Sequence, residues 1–544
     1  MIPIGKREFF FEILLLLPIV KEGLYILSGK SPCRNKRSGV HLPDGRIILR
    51  IVILYYFIGS IGNKNWSFLN WSDKIRLKQI EEGKSMTGIR RVFTPVDMTI
   101  GVPWQDILIF SIPMIVGNFA QQLYNTVDSI VVGRYIGDKA LAAVGSANPI
   151  LNLLLVIFMG IAVGTSVMIS QYFGARESEN IAETLGTCIT ITGLMSVVIM
   201  ILCIFVTRPL LVLLHTPDSI IDWCASYLII YFLGVAGVAY YNILSGILRG
   251  LGDSISALLY LLVSTFINII LDIWFVAGFH WGVSGVALAT IIAQAVSAVL
   301  CFIKLFRMHQ IFVLKFHHLK IKREYILEII RIGLPTGITQ AVFSTAMLLV
   351  QSLTNSYGEM FIAASVIVMR VDGFAMMPNF SFGSAMTTYT GQNIGAKKMD
   401  RVQEGAKQGT RIAVIISASI TMMILIFGRS LMGIFTNTKE LVDLSMRMMR
   451  ILSVGYITFS IGQSFSGVMR GAGDTVTPMW IAIISTVFIR IPTAYGIAWF
   501  TRTPDLPYGR CESVYISLLV SWSLGALITY LFYKKGKWKN KAVV

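Results

Sequence analysis

The sequence has little charge for its length. Of its 544 residues only 14% are charged, 55% are hydrophobic, and the mean hydropathy is +0.69. Soluble globular domains carry about 25% charged residues, so this composition excludes an ordinary soluble protein. The net charge of +18 does not indicate nucleic-acid binding, because the basic residues lie in short loops between apolar runs rather than on one stripe. We therefore expect a polytopic membrane protein.

Cysteine is scarce, and common catalytic motifs are missing. The six cysteines form no CxxC pair and have no histidine at metal-ligand spacing, which argues against a disulfide framework and a structural metal. The sequence also lacks the HExxH, GxSxG and Walker A patterns of common hydrolases and nucleotide-binding enzymes. We expect no enzyme activity, no metal centre and no cofactor.

Residues 1–100 lack the long apolar runs of the rest of the chain. Their two apolar patches, 9–20 and 47–61, fall short of the roughly 20 residues that a membrane span needs. No small-residue cleavage site follows the first patch convincingly, so a signal peptide has little support. We expect an N-terminal extension that is poorly ordered or lies on the membrane surface, unless Met86 or Met98 is the true start.

From Pro103 onward, long apolar runs alternate with short polar breaks. At about 20 residues per span, this pattern predicts an all-α membrane protein with about twelve transmembrane helices, six in each half. The predicted spans are 106–132, 140–172, 181–206, 222–248, 255–278 and 284–306, then 325–355, 360–391, 406–428, 440–469, 477–500 and 513–533. The predicted divisions are an N-lobe over 101–306, a basic linker over 307–324, a C-lobe over 325–534 and a basic tail over 535–544.

The two halves are copies of each other. SGILRGLGD at 245–253 recurs as SGVMRGAGD at 466–474, so the two copies differ in numbering by 466 − 245 = 221. The same offset relates SQYFGA, which ends at Ala175, to GQNIGA, which ends at Ala396. An even number of spans per copy gives both halves the same orientation, as in transporters built from parallel repeats with their site between the lobes.

Lysine and arginine are unevenly distributed among the loops. Loops after even-numbered spans contain Arg176, Arg249 and Lys397, and the tail is also basic, whereas the other loops are poorer in basic residues. The positive-inside rule then places the even loops and both termini in the cytoplasm. The linker also contains His317 and His318, for which a solvated basic loop is a better interpretation than a metal site.

Two acidic residues fall inside predicted spans, Asp128 in the first and Asp272 in the fifth. A charge in the bilayer costs about 2.5–3.5 kcal/mol on insertion scales, so each is a functional candidate. Asn268 precedes Asp272 by one helical turn and shares its face. Neither acid has a basic neighbour on its own helix, which suits reversible protonation or cation binding. The alternative is a side chain that reaches the interface from a helix end.

The paired acids belong to the first half alone. The positions that the repeat offset makes equivalent to them hold Leu349 and Thr493. In the second half Asp372 follows Arg370 in the eighth predicted span, where a local pair or a polar patch is the simplest interpretation.

Several segments together resemble one transporter family. They are LYNTVDSIVVGRYIG in the first span, SQYFGA with GQNIGA, the paired RGLGD and RGAGD turns, and NIILD in the fifth span. In this combination the chain from about 103 to 535 resembles the multidrug and toxic compound extrusion (MATE) family, in particular its bacterial DinF-like and MepA-like members.

The resemblance implies two six-helix lobes around a V-shaped cavity, and efflux of lipophilic, often cationic compounds in exchange for H⁺ or Na⁺. It implies a monomer in the cell membrane whose partners are the lipid bilayer and small substrates, without nucleic acid. An N-lobe cluster would bind the coupling ion, with Na⁺ possible at Asp128, Asn268 and Asp272. Carried over residue by residue, that cluster comprises Tyr124 and Asp128, Tyr227, Asn268 and Asp272, and Thr290.

The chain departs from the NorM-like branch of the family. That branch uses acidic residues in the seventh and tenth spans, where this chain has Gln340 and Gln463. This departure favours the N-lobe cluster over a C-lobe cation site. A C-lobe cavity formed by Gln340, Arg370, Asp372 and Gln463 is a second candidate. The alternative function is a flippase for lipid-linked oligosaccharides, which would line its groove with several basic residues; Arg370 and Arg490 are the intramembrane candidates.

Overall fold

The computed structural model describes residues 95–214 and 216–544, apart from the side chains of residues 153 and 154. The predictions for residues 1–94 lie outside the described residues. The described residues belong to one compact unit. Within the described chain the secondary structure is helical, with fourteen α-helices and no β-strand.

The first half contains seven α-helices. They are α1 Pro103–Tyr135, α2 Asp138–Ala175, α3 Ser178–Leu213, α4 Asp218–Leu233, α5 Val235–Gly250, α6 Ser254–Asp272 and α7 Gly282–Phe306. A π-helical segment, Ile273–Gly278, continues α6, so these two form a single span of 25 residues.

The second half repeats this order. Its helices are α8 Arg323–Ser356, α9 Glu359–Gly395, α10 Met399–Gly433, α11 Lys439–Gly471, α12 Val476–Ile483, α13 Ile491–Phe500 and α14 Ser513–Lys535. The π-helical segment Ile484–Arg490 joins α12 to α13. Single-turn 3₁₀ helices lie in the linker, at Phe316–Leu319, and in the tail, at Lys537–Asn540.

All twelve predicted spans are helical, but they differ in how apolar they are. Ten helices of the described chain are long and apolar enough to cross a membrane, or eleven if the bent pair α4 and α5 is one span. The remaining helix, α11, has 33 residues, but its first turns carry Glu440, Asp443 and Arg447. In the structure α11 packs against α9, α10 and α14, as a span of the C-lobe should.

The fourth predicted span is broken, which the hydropathy pattern did not show. The axes of α4 and α5 differ by 54° across Gly234. A Cβ atom at Gly234 would overlap the side chain of Ile291 on α7. Glycine therefore lets the bend approach α7 more closely than any other residue would.

Each half buries an apolar core of its own, and a third core joins the halves. Ile107 and Phe110 from the first turns of α1 lie in one buried cluster with Phe382 and Met386 of α9. The other end of α1 packs within the N-lobe, where Val131 and its neighbours are buried. One helix thus contacts both lobes.

The lobes meet closely at the end where α2 and α9 finish. A Cβ atom on Gly174 would overlap the carbonyl oxygen of Gln392, and one on Gly395 would overlap that of Gln171. Gln171 and Gln392 are equivalent positions of the repeat, so the contact is reciprocal. Glycine at these two positions allows the helix backbones to touch.

The side chains of the same two glutamines bind segments of chain that cross this end. Each Nε2 donates to a carbonyl of the opposite lobe's glycine-rich turn, and each Oε1 accepts from a backbone N–H. Gln171 donates to Gly471 (2.9 Å) and accepts from Val543 (2.8 Å), whereas Gln392 donates to Gly250 (3.2 Å) and accepts from Met98 (2.9 Å). The segment around Met98 thus contacts Gln392 in the same way as the segment around Val543 contacts Gln171.

Candidate functional site

The buried face of α6 explains why polar residues lie inside the N-lobe. Its buried positions include Leu261, Ser264, Asn268 and Asp272, which recur every three or four residues and so form one stripe. The opposite face carries exposed apolar side chains such as Phe266. In a membrane the apolar face meets lipid, and the polar stripe faces the protein interior.

Asn268 and Asp272 are fully enclosed, at 0% exposure each. The Asn268 amide Nδ2 donates to Thr290 Oγ1 of α7 at 3.5 Å, and Thr290 Oγ1 donates to the Val286 carbonyl at 3.0 Å. Asn268 Oδ1 and both carboxyl oxygens of Asp272 have no hydrogen-bond partner. A buried polar atom without a partner is costly, so these oxygens are candidate ligands for a cation or a proton.

Asp128 of α1 brings its carboxyl group beside that of Asp272. One oxygen of Asp128 and the hydroxyl of the neighbouring Tyr124 are also buried without a partner. No lysine, arginine or histidine of the described chain forms an ion pair with either acid. The result is a set of oxygen ligands of the kind that hard cations prefer, and two adjacent carboxyl groups can equally share a proton.

Two tyrosines of α4 complete the cluster. Tyr227 is 5% exposed, and its ring lies 6.3 Å from that of Tyr231. Both are near enough to Asp128 to interact with it electrostatically. The structure thus brings together all six residues predicted for the N-lobe cluster. Tyr231 was missed, although its position one helical turn after Tyr227 places it on the same face.

The predicted C-lobe residues are only partly brought together. A cavity of about 390 Å³ is lined by Gln340, Asp372 and Gln463, together with Arg470 and Arg490. Arg370 is exposed and is not part of the lining.

Of the two interpretations of Arg370 and Asp372, the local pair is wrong. Within the described chain no ion pair joins them, because residues two positions apart on a helix point in different directions. Asp372 Oδ1 instead accepts a hydrogen bond from the Tyr456 hydroxyl of α11 at 2.9 Å. That contact joins positions 84 residues apart, which no local sequence pattern indicates.

The linker is less solvated than predicted. His318 is fully buried, and its Nε2 lies 2.9 Å from Glu179 Oε1 at the start of α3. Lys322 Nζ lies 2.6 Å from Glu183 Oε1 on the same helix. His317 remains half-exposed beside this group. The interpretation as a solvated loop is therefore wrong for His318, which fixes the linker to α3.

The sequence model of the MatE family matches the chain twice, at residues 113–274 and 335–496. The spacing between the two starting points, 335 − 113 = 222, is close to the offset of 221 between the repeated motifs. Together the matches cover more than half of the chain, and each lies within one half of the structural repeat.

Curated proteins with similar sequences carry transporter names. The probable multidrug resistance protein YoeA of Bacillus subtilis is 29% identical over 81% of this chain and 95% of its own. The multidrug export protein MepA of Staphylococcus saprophyticus is 24% identical over 72% of this chain and 88% of its own.

Solved structures share the fold. A MOP superfamily transporter from Pyrococcus furiosus superposes with a TM-score of 0.75 at 24% identity, covering 84% of this chain and 98% of its own. A MATE crystal structure in the straight conformation gives the same TM-score and identity over 83% and 98%. With its many membrane-spanning helices and its two family matches, the chain belongs to the MatE family of multi-pass membrane efflux transporters.

Proposed function

We propose that the protein is a cation-coupled antiporter that exports lipophilic or cationic compounds across the cell membrane in exchange for H⁺ or Na⁺. The observation that carries this proposal is the pairing of Asp128 with Asp272 in a buried N-lobe site without a basic partner in the described chain. The multidrug resistance and multidrug export names of YoeA and MepA support it. We also propose a monomer with both termini in the cytoplasm.

The position of α1 suggests how the ion and the substrate are coupled. Two adjacent carboxylates repel each other, and a bound proton or Na⁺ removes that repulsion, so that α1 and α6 draw together. Because the first turns of α1 pack against α9, a shift of α1 alters the contact between the lobes. Pro113 interrupts the hydrogen bonding within α1 and provides a point at which the helix can bend.

Exchange requires that the ion and the substrate favour different states. If the cation binds more tightly when the cavity faces outward and the substrate more tightly when it faces inward, each drives the change that releases the other. Asp128 and Asp272 would then carry the ion, with Asn268 and Thr290 positioning it. Tyr124, Tyr227 and Tyr231 would separate the site from lipid.

Reconstituted vesicles test the proposal. A fluorescent lipophilic cation is loaded, and a pH gradient or a Na⁺ gradient is imposed separately. We expect one gradient to drive dye movement in the wild type, and D128N or D272N to abolish that coupling. D372N, which changes a partly buried acid of the other lobe, is the matched control and should retain the dependence on the gradient, even if its dye affinity changes. Dye movement that ignores both gradients in the wild type would refute the coupling.

The flippase alternative predicts a groove lined by several basic residues. Among the described residues, only two basic side chains, Arg470 and Arg490, line the C-lobe cavity, and the acidic Asp372 lines it as well. The drug-related names of the relatives also favour export of small compounds. We therefore do not propose the flippase.

A further inference from the structure

The N-lobe cluster and the C-lobe cavity differ in formal charge. The N-lobe cluster contains two carboxyl groups, Asp128 and Asp272, and no basic side chain of the described chain pairs with them. The charged residues that line the C-lobe cavity are one acid, Asp372, and two bases, Arg470 and Arg490. The formal charge is therefore negative where we place the coupling cation and positive in the cavity of the other lobe.

Arg470 is the unusual member of this set. It lies in the last turn of α11, and its guanidinium opens into the C-lobe cavity, with Nη2 beside Gly383 of α9. No carboxylate or hydrogen-bond acceptor of the described chain pairs with it. Arg470 is partly buried, and a guanidinium that lines a cavity without a protein partner is suited to bind an anion there.

The second arginine of the cavity, Arg490, is paired in charge with Asp372. It lies within electrostatic range of Asp372 without forming an ion pair. Asp372 itself already accepts the hydrogen bond of Tyr456. Arg490 and Asp372 therefore balance each other in charge, and Arg470 accounts for the excess.

The repeat provides an internal comparison. Arg249 occupies the position equivalent to Arg470, since 470 − 221 = 249. Its Nη1 donates to Ser245 Oγ at 3.3 Å, so its hydrogen bonding is partly met within α5. Arg249 is not part of the lining of the C-lobe cavity.

The remainder of the cavity wall suits an apolar body. Its volume of about 390 Å³ lies within the range of pockets that hold drug-sized ligands. Aromatic and methionine side chains from α8, α9, α11 and α14 provide large, adaptable apolar contacts. They are Phe343, Met347, Phe380, Phe459 and Trp522.

We propose that the C-lobe cavity binds amphiphilic organic anions, with the acidic group on the Arg470 guanidinium and the apolar part against the aromatic wall. This inference rests on the proposed transport function and extends its substrates to compounds with a carboxylate, sulfonate or phosphate. Arginine suits these groups because its planar guanidinium can donate two parallel hydrogen bonds. The same chemistry is offered by a dissolved compound and by the headgroup of an anionic lipid.

A matched set of probes tests the charge requirement. The protein is placed in nanodiscs of phosphatidylcholine, and the binding of 11-(dansylamino)undecanoic acid is compared with that of its methyl ester and of an analogue ending in trimethylammonium. All three share the same dansyl group and chain. We expect the acid to bind at least about tenfold more tightly than the ester, the difference expected from one charged hydrogen bond.

Variants locate the effect. R470Q should reduce binding of the acid by about tenfold or more and leave the ester unchanged, whereas R470K should retain part of the preference. R249Q is the matched control in the other lobe and should bind the acid like the wild type. Equal binding of acid and ester, tighter binding of the trimethylammonium analogue, or an equal loss of all probes in R470Q and R249Q would overturn the proposal.

A lipid arm distinguishes the two sources of the anion. Replacing about a fifth of the phosphatidylcholine with phosphatidylglycerol should leave the affinity of the acid unchanged if the ligand enters from solution. If phosphatidylglycerol instead lowers the affinity of the acid in the wild type and in R470K, but not in R470Q, the same anion site is supported with a lipid headgroup as its occupant. These outcomes are separate from the proposed coupling, because gradient-driven transport of a cationic dye depends on Asp128 and Asp272.

Discussion

In the proposed mechanism, Asp128 and Asp272 are the two side chains on which coupling depends. Their carboxyl groups lie side by side, and oxygens of Asn268, Asp272 and Tyr124 lack partners. The sequence predicted this group because carboxylates are rare inside a span and Asn268 lies one turn before Asp272. It did not predict Tyr231 or Tyr456, because aromatic residues are common in membrane helices and only the fold selects those that face an acid.

Asn268 should contribute to ion affinity without being essential for exchange. N268A removes the Oδ1 acceptor, and we expect the cation concentration that half-saturates dye exchange to rise about tenfold, the loss of one charge-assisted contact. T265A is the control, because Thr265 donates only to the Leu261 carbonyl of its own helix. An unchanged half-saturating concentration in N268A would remove Asn268 from the ion site.

At the scale of helices, glycine positions decide how closely the elements pack. Gly234 should be intolerant of alanine, because the added Cβ would overlap Ile291. Overpacking of this kind costs about 1–3 kcal/mol. We expect G234A to lower the thermal transition of the purified protein, and G433A, where the added Cβ meets open space, to leave it unchanged. Equal transitions for the two variants would show that the bend tolerates a side chain.

The reciprocal glutamines should act independently on the two segments that they hold. Gln171 accepts a hydrogen bond from the Val543 amide and Gln392 from the Met98 amide. Q171A should therefore speed hydrogen exchange of the tail around Val543 but not around Met98, and Q392A should do the reverse. Each variant is the control for the other. Faster exchange of both segments in both variants would instead indicate general loosening of this end.

At the scale of the whole molecule, much of the fold follows from the sequence. The constant offset between repeated motifs predicted the duplication, and apolar run lengths predicted the helices to within a few positions at most ends. The contacts of Met98 with Gln392 and of Val543 with Gln171 could not be predicted, because they join positions 294 and 372 residues apart. Such pairing depends on tertiary packing and leaves no periodic signal in the sequence.

In our proposal the two lobes have different tasks in transport. The N-lobe holds the acidic pair, and the C-lobe holds the apolar cavity with its excess positive charge. Helix α1 connects them, since its start packs against α9 and its later turns carry Asp128. In the proposed mechanism an ion bound in one lobe would change the substrate affinity of the other without meeting the substrate.

The most direct test of cation-coupled exchange reverses its driving force. Vesicles containing the protein receive an outward gradient of the fluorescent cation and no ion gradient, while a trapped pH indicator or ²²Na⁺ reports cation movement. We predict that outward dye flow drives uptake of one of the two ions, and that D272N abolishes this uptake while D372N preserves it. Dye flow through the wild-type protein without movement of either ion would contradict the exchange mechanism.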